Sequence, residues 1–105
     1  MKSNILVVDD EPVARQSMTD ILKLEGHNVV SAPNGQAAVE YVRTHPVDLM
    51  VVDLRMPGMD GLATLTRMRE RQIDSQVVII SGHGNVESAV RAIKMGAFDF
   101  VEKPL

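Results

Sequence analysis

Short apolar runs alternate along this chain with segments whose apolar positions repeat at helical spacing. Runs near Asn4–Val8, Asn28–Ala32, Asp48–Asp53, Gln76–Ser81 and Phe98–Glu102 predict five strands. The first, third and fourth are nearly all apolar, the composition of strands covered on both faces. Helices are predicted near Pro12–Glu25, Gly35–Thr44, Leu62–Arg71 and Asn85–Met95. In the first of these, Val13, Met18, Ile21 and Leu22 form one stripe, Pro12 stands at the start and Gly26 at the stop. Asp60 and Asn85 are expected to cap the third and fourth helices. Four strand-to-helix alternations mean right-handed βαβ crossovers, hence an α/β fold with a parallel, doubly wound sheet. The alternation also predicts a helix after the last strand, whereas this sequence stops at Leu105, so a fragment of a longer protein is expected.

Three of the runs end in charge. Ile5-Leu6-Val7-Val8 leads into Asp9-Asp10-Glu11, Leu49-Met50-Val51-Val52 into Asp53, and Phe98-Asp99-Phe100-Val101-Glu102 into Lys103-Pro104. Parallel strands share their C-terminal edge, where open α/β sheets bind ligands, so the pattern predicts an acidic pocket facing a lysine. Two unit charges about 4 Å apart interact by roughly 4 kcal/mol at an effective dielectric near 20, so three gathered carboxylates demand a cation or a proton. Lys103 supplies one positive charge, and a divalent ion would balance Asp9, Asp10 and Asp53. Oxygen ligands without His or Cys favour a hard ion, and a few carboxylates plus waters suit Mg²⁺ better than a full Ca²⁺ cage.

Such a pocket suits phosphoryl transfer to a carboxylate. Asp53 is the best nucleophile, because it ends the central run and precedes the turn-rich Leu54-Arg55-Met56-Pro57-Gly58-Met59-Asp60-Gly61. The Ser81 hydroxyl could donate to a phosphoryl oxygen, and Gly82 would permit close backbone approach. Gly58 and Gly61 read as loop geometry. Met18, Met50, Met68 and Met95 read as core filling, Arg67, Arg69 and Arg71 as a solvated helix face, and His27 and His45 as solvated.

Composition narrows the function classes. With 105 residues, 45% hydrophobic and a net charge of −3, the chain makes one domain with no basic stripe for direct nucleic-acid binding. The absence of cysteine removes disulfides and thiolate metal sites. No secretory signal or membrane span is evident, and a cytoplasmic location is expected.

The segments Asp9-Asp10-Glu11, Val52 through Gly61, Ser81-Gly82-His83-Gly84 and Phe98 through Pro104 resemble, in order, the signature segments of the response-regulator receiver domain of two-component systems. Gly96-Ala97-Phe98-Asp99-Phe100 is most similar to receivers of nitrogen-regulatory and nitrogen-fixation regulators. The resemblance implies a flavodoxin-like sheet of order 2-1-3-4-5 and a C-terminally truncated receiver domain over residues 1–105. It implies that Asp53 accepts a phosphoryl group from a phosphohistidine on a sensor histidine kinase or phosphotransfer protein. Asp10, Asp53 and the Arg55 backbone carbonyl would hold Mg²⁺, Asp9 would help through water, and Lys103 would pair with the phosphoryl group. Ser81 and Phe100 would form the switch, with Phe100 where a tyrosine is common; Arg55 and His83 would tune phosphoryl lifetime. The responding surface, residues 85–102, would control an output domain, with transcription the expected output and a homodimer as one form. The domain would be a signalling phosphoacceptor rather than a conventional enzyme. A receiver-like module working without phosphorylation, an aspartate-nucleophile phosphatase and a small flavin carrier are the alternatives. Retention of the acidic pair, acceptor and lysine argues against the first. Adjacent rather than Asp-x-Asp acids, with no cap domain, argue against the second, and the lack of a phosphate-cradling loop with flanking aromatics argues against the third.

Overall fold

Strand and helix alternate through the whole of the computed structural model, which describes residues 2–82 and 85–103. The elements are β1 (Asn4–Val8), α1 (Pro12–Leu24), β2 (Asn28–Ala32), α2 (Gly35–Val42), β3 (Leu49–Asp53), α3 (Gly61–Glu70), β4 (Gln76–Ser81), α4 (Val86–Lys94) and β5 (Asp99–Glu102). The five strands and four helices expected within the sequence are all present, with ends that agree with the sequence reading or differ from it by at most two residues. The sheet is parallel throughout, in the order β2-β1-β3-β4-β5. The three apolar runs are its central strands, and the mixed runs of β2 and β5 are its edges.

Local chemistry sets the helix ends. Glu11 precedes Pro12 and accepts from the amides of Val13 and Ala14, so the acid after the first pair caps α1. Asn34 caps α2 through Ala37, and Asp60 caps α3 through Ala63, as expected for Asp60. Asn85 departs from expectation: it stands at the start of α4, yet its side chain takes no hydrogen bond from that helix. At the other ends, α1 closes on Gly26 at φ +94°, with His27 N–H bonded to the Leu22 carbonyl and Gly26 N–H to that of Lys23. Gly96, at φ +98°, closes α4 through the same pair of bonds.

The helices divide unequally between the two sheet faces. Residues of α2, α3 and α4 pack with Leu6, Val8, Met50, Val52, Val77 and Ile79 into the larger core, in which Leu65 and Met68 are fully buried. On the opposite face, among the described residues, Ile5, Val7, Val51 and Ile80 pack with Met18 and Leu22 of α1 and with neighbouring strand residues. The predicted α1 stripe is therefore half right: Met18 and Leu22 are partly buried, whereas Val13 is 72% and Ile21 55% exposed. Beside α1 a groove of about 340 Å³ opens between Ala14, Ser17, Met18, Ile21, Val51 and Ile80 and runs to Asp53 and Lys103.

Arg69 also departs from expectation. Its guanidinium donates to the carbonyls of Ile73, Ser75 and Gly96, tying the loop after α3 to the C-terminal end of α4 instead of lying solvated. The core methionines behave as expected, Met50 and Met68 buried and Met18 and Met95 partly so. His27 takes the Ser3 amide, and His45 stacks on Tyr41 with ring centroids 4.1 Å apart.

Candidate functional site

Strand register gathers the charged residues. Val8 pairs with Val52, so Asp9 and Asp10 leave β1 beside Asp53 at the end of β3. Asp53 pairs with Ile80, and Ser81 with Glu102, so the next residue, Lys103, arrives at the same edge. The Lys103 amide donates to the Ser81 carbonyl at 2.7 Å, fixing the start of its side chain. Its ammonium then meets Asp53 Oδ1 at 3.2 Å.

The carboxylates converge as the sequence implied. One oxygen from each of Asp9, Asp10 and Asp53 lies within 4.8 Å of the others, with Asp9 buried, Asp53 half-buried and Asp10 exposed. Asp9 is held in place: its Oδ1 accepts the Glu11 amide at 3.0 Å, and its carbonyl accepts from Arg15 at 2.9 Å. Arg15 had no signal in the sequence, because its partner is a backbone oxygen. Asp53 is set by the turn that follows it. The Leu54 amide donates to the Ile80 carbonyl and the Gly61 amide to the Leu54 carbonyl, drawing the start of α3 against the strand end. A Cβ at Gly61 would lie 2.7 Å from the Asp53 carbonyl oxygen, so this approach requires glycine.

The electrostatics follow from this crowding. Burial pushes the Asp53 carboxyl above its usual value, the hydrogen bond and charge of Lys103 pull it back, and the charges of Asp9 and Asp10 push it up again. One lysine does not offset the desolvation and two neighbouring acids. An oxygen-only, trianionic cluster at one rim has the donor set of a hard divalent cation, and its residues fit Mg²⁺.

Of the other expected site residues, Ser81 ends β4, Phe100 lies on β5 and Arg55 follows β3. Ser81 is buried at 1% exposure; its Oγ donates to the Gly82 carbonyl at 3.0 Å and accepts from Asn85 Nδ2 at 2.6 Å. Phe100 is partly buried against the larger core and faces a pocket of about 260 Å³ lined also by Gly82, Asn85, Val86, Ala89 and Val90. Arg55 is exposed in the loop after β3, where it lines a separate pocket with Met56, Pro57, Ser88 and Arg91. A Cβ at Gly82 would meet no described atom within 4 Å, so the space beside it is open. His83 and Pro104 lie outside the described residues. Sequence reasoning missed the Asn85 contact, since an Asn before a helix signals a cap and nothing local distinguishes a cap from a bond to the preceding strand end.

A five-stranded parallel α/β sheet with an acidic cluster and a lysine at its C-terminal edge defines a domain built around a charged strand-end pocket. The family model of the response regulator receiver domain matches residues 5–105, and the chain belongs to that family. It is 39% identical over 103 residues to the transcriptional regulatory protein FixJ of Bradyrhizobium diazoefficiens, covering 98% of this chain and 50% of that one. It is 40% identical over 106 residues to the nitrogen assimilation regulatory protein NtrX of Azorhizobium caulinodans, covering 99% of this chain and 23% of that one. Among solved structures, FixJ-N superposes with a TM-score of 0.94 at 34% identity over 100% of this chain and 84% of that chain. NtrX from Brucella abortus superposes with a TM-score of 0.92 at 41% identity over 100% of this chain and 24% of that chain. The chain thus spans between about a fifth and a half of the length of these curated relatives. The two-component receiver class, its flavodoxin-like fold and its kinship with transcriptional regulators agree with the sequence reading. Among the described residues no helix is long and apolar enough to cross a membrane.

Proposed function

We propose that Asp53 is the phosphoacceptor of this receiver domain. The observation that carries the reading is the meeting of three carboxylates and Lys103 around the half-buried end of β3. An Asp53 carboxylate oxygen attacks the phosphorus of a phosphohistidine on a sensor kinase or phosphotransfer protein. The new O–P bond forms as the P–N bond breaks, and the departing imidazole keeps that electron pair. Lys103, already paired with Asp53, exchanges part of that contact for a phosphoryl oxygen and neutralises the charge that arrives. Asp10, Asp53 and the Arg55 carbonyl would hold Mg²⁺, with Asp9 helping through water, and the ion would supply charge neutralisation at the phosphoryl oxygens.

Acyl phosphate adds negative charge and acceptor oxygens, toward which the Ser81 hydroxyl turns. Phe100 responds by packing into the space beside it, and lacking a hydroxyl it reports the state by packing alone. The changed surface spans residues 85–102, and Arg55 and His83 govern how readily water reaches the phosphoryl group. The domain is a signalling phosphoacceptor that assists its own phosphorylation and hydrolysis. It serves as the receiver part of a longer cytoplasmic regulator, with an output domain that acts on transcription and a homodimer through the switch surface. The greater length of the relatives supports that reading.

Intact-mass measurement after incubation with acetyl phosphate tests the acceptor. Wild type is expected to gain one phosphoryl group only when Mg²⁺ is present, and Asp53→Asn to gain none. An adduct undiminished in Asp53→Asn would place the acceptor elsewhere.

A further inference from the structure

Three of the four helices are capped by the residue before them, and the fourth is not. Glu11, Asn34 and Asp60 precede α1, α2 and α3 in extended backbone conformations, and each side chain accepts amides of its own helix. Asn85 is as good a capping residue type as any of these, yet its side chain turns backward. Its Nδ2 donates to Ser81 Oγ at 2.6 Å and to the Gly82 carbonyl at 3.1 Å, and its φ of −102° and ψ of 51° lie outside the extended region that the other three caps use. The first-turn amides of α4 therefore receive nothing from Asn85.

We propose that Asn85 is a positioning residue for the switch serine. It holds the Ser81 hydroxyl against the Gly82 carbonyl in the unphosphorylated domain, and on release it caps α4. The inference rests on the phosphoacceptor reading for its trigger, but the restraint itself stands on geometry alone. Ser81 has one hydroxyl proton, and it is committed to the Gly82 carbonyl at 3.0 Å. Donating to a phosphoryl oxygen requires the hydroxyl to leave that carbonyl, and the oxygen moves away from Asn85 as it turns. The Asn85 carboxamide then loses its best acceptor. A change in ψ carries it into the extended region, where its oxygen takes the amide of Glu87 or Ser88. The pocket of about 260 Å³ beside Asn85, Val86, Ala89 and Phe100 gives the first turn of α4 room to adjust. The far end of that helix stays anchored, because Arg69 holds the Gly96 carbonyl at 3.0 Å. One side chain thus links the serine's hydrogen bond to the N-terminal end of α4.

Amide hydrogen exchange at Glu87 and Ser88 of the 105-residue chain tests this in two arms. Without phosphodonor, Ser81→Ala removes the nearer of the two acceptors of Asn85, and one of the two amides is expected to exchange about five-fold more slowly than in wild type, the factor of a typical N-cap bond. Ser81→Ala combined with Asn85→Ala should lose that slowing. Asn85→Asp, which keeps a capping oxygen and lacks the donor, should show the slowing with Ser81 intact, and it serves equally if the alanine variant does not fold. Unchanged exchange in both Ser81→Ala and Asn85→Asp would overturn the restraint, and slowing that survives in the double variant would overturn Asn85 as its source. In the second arm, with acetyl phosphate and Mg²⁺, wild type should show the same slowing as its adduct accumulates, and Asn85→Ala should form the adduct without it. Slowing in phosphorylated Asn85→Ala would overturn the coupling. Failure of wild type to form an adduct would overturn the trigger and the phosphoacceptor reading together, leaving the first arm to judge the restraint on its own.

Discussion

Ile79 and Ile80 are neighbours on one strand, and they face different worlds. Ile79 points into the core closed by α2, α3 and α4, whereas Ile80 points to the face that, among the described residues, α1 covers, and lines the groove beside it. Both are nearly inaccessible, at 0% and 5%, so burial alone does not separate them. What separates them is the depth of packing beyond the side chain. The groove on the α1 side runs up to Asp53 and Lys103 at the rim where the chemistry sits.

Substitution at this pair gives the sharpest contrast. Ile79→Ala is expected to cost about 4 kcal/mol in urea denaturation, near the top of the range for a buried isoleucine, because a fully enclosed cavity cannot be refilled. Ile80→Ala is expected to cost about 2 kcal/mol, because its cavity opens into the groove and α1 can settle toward it. Equal losses would mean that the two faces are equally closed. Ile21→Ser, at a position already 55% exposed on the groove side, should change stability by less than about 0.5 kcal/mol.

The rim responds to pH instead. The folded state raises the Asp53 carboxyl above its ordinary value of 3.8, so the folded protein binds more protons there than the unfolded chain does. Stability in metal-free buffer therefore falls as pH rises from 3.8 through the raised folded-state value. Asp53→Asn should accordingly be more stable than wild type at pH 7 in the presence of a chelator, and the gain should vanish as pH drops below 3.8. Thermal melts across that range check both the sign and the window.

Much of this organisation is legible in the chain. Apolar runs of strand length, separated by helical periods, determine a parallel sheet, and a parallel sheet sends every strand end to one edge. Asp9, Asp10, Asp53 and Lys103 could therefore be brought together without any distance being known. Asp60 and Pro12 signalled their helix starts because capping is local. The features that escaped depend on what the fold places beside a residue, which local sequence does not show. Arg69 sits among other arginines on α3, and only the fold brings the Gly96 carbonyl within its reach. Val13 and Ile21 share the spacing of Met18 and Leu22, and their exposure follows from what does or does not cover α1. Asn85 carries a cap's sequence signature while its side chain serves the preceding strand.

The identity of the residue that carries the phosphoryl group is the central claim, and one chemical mapping reads it directly. Wild-type protein treated with acetyl phosphate and Mg²⁺ is reduced with borohydride, which converts an aspartyl phosphate to homoserine, and the peptides are then sequenced by mass spectrometry. Homoserine at position 53, with Asp9, Asp10 and Asp60 unchanged, is the predicted result. Homoserine at any of those three positions, with Asp53 intact, would contradict the account.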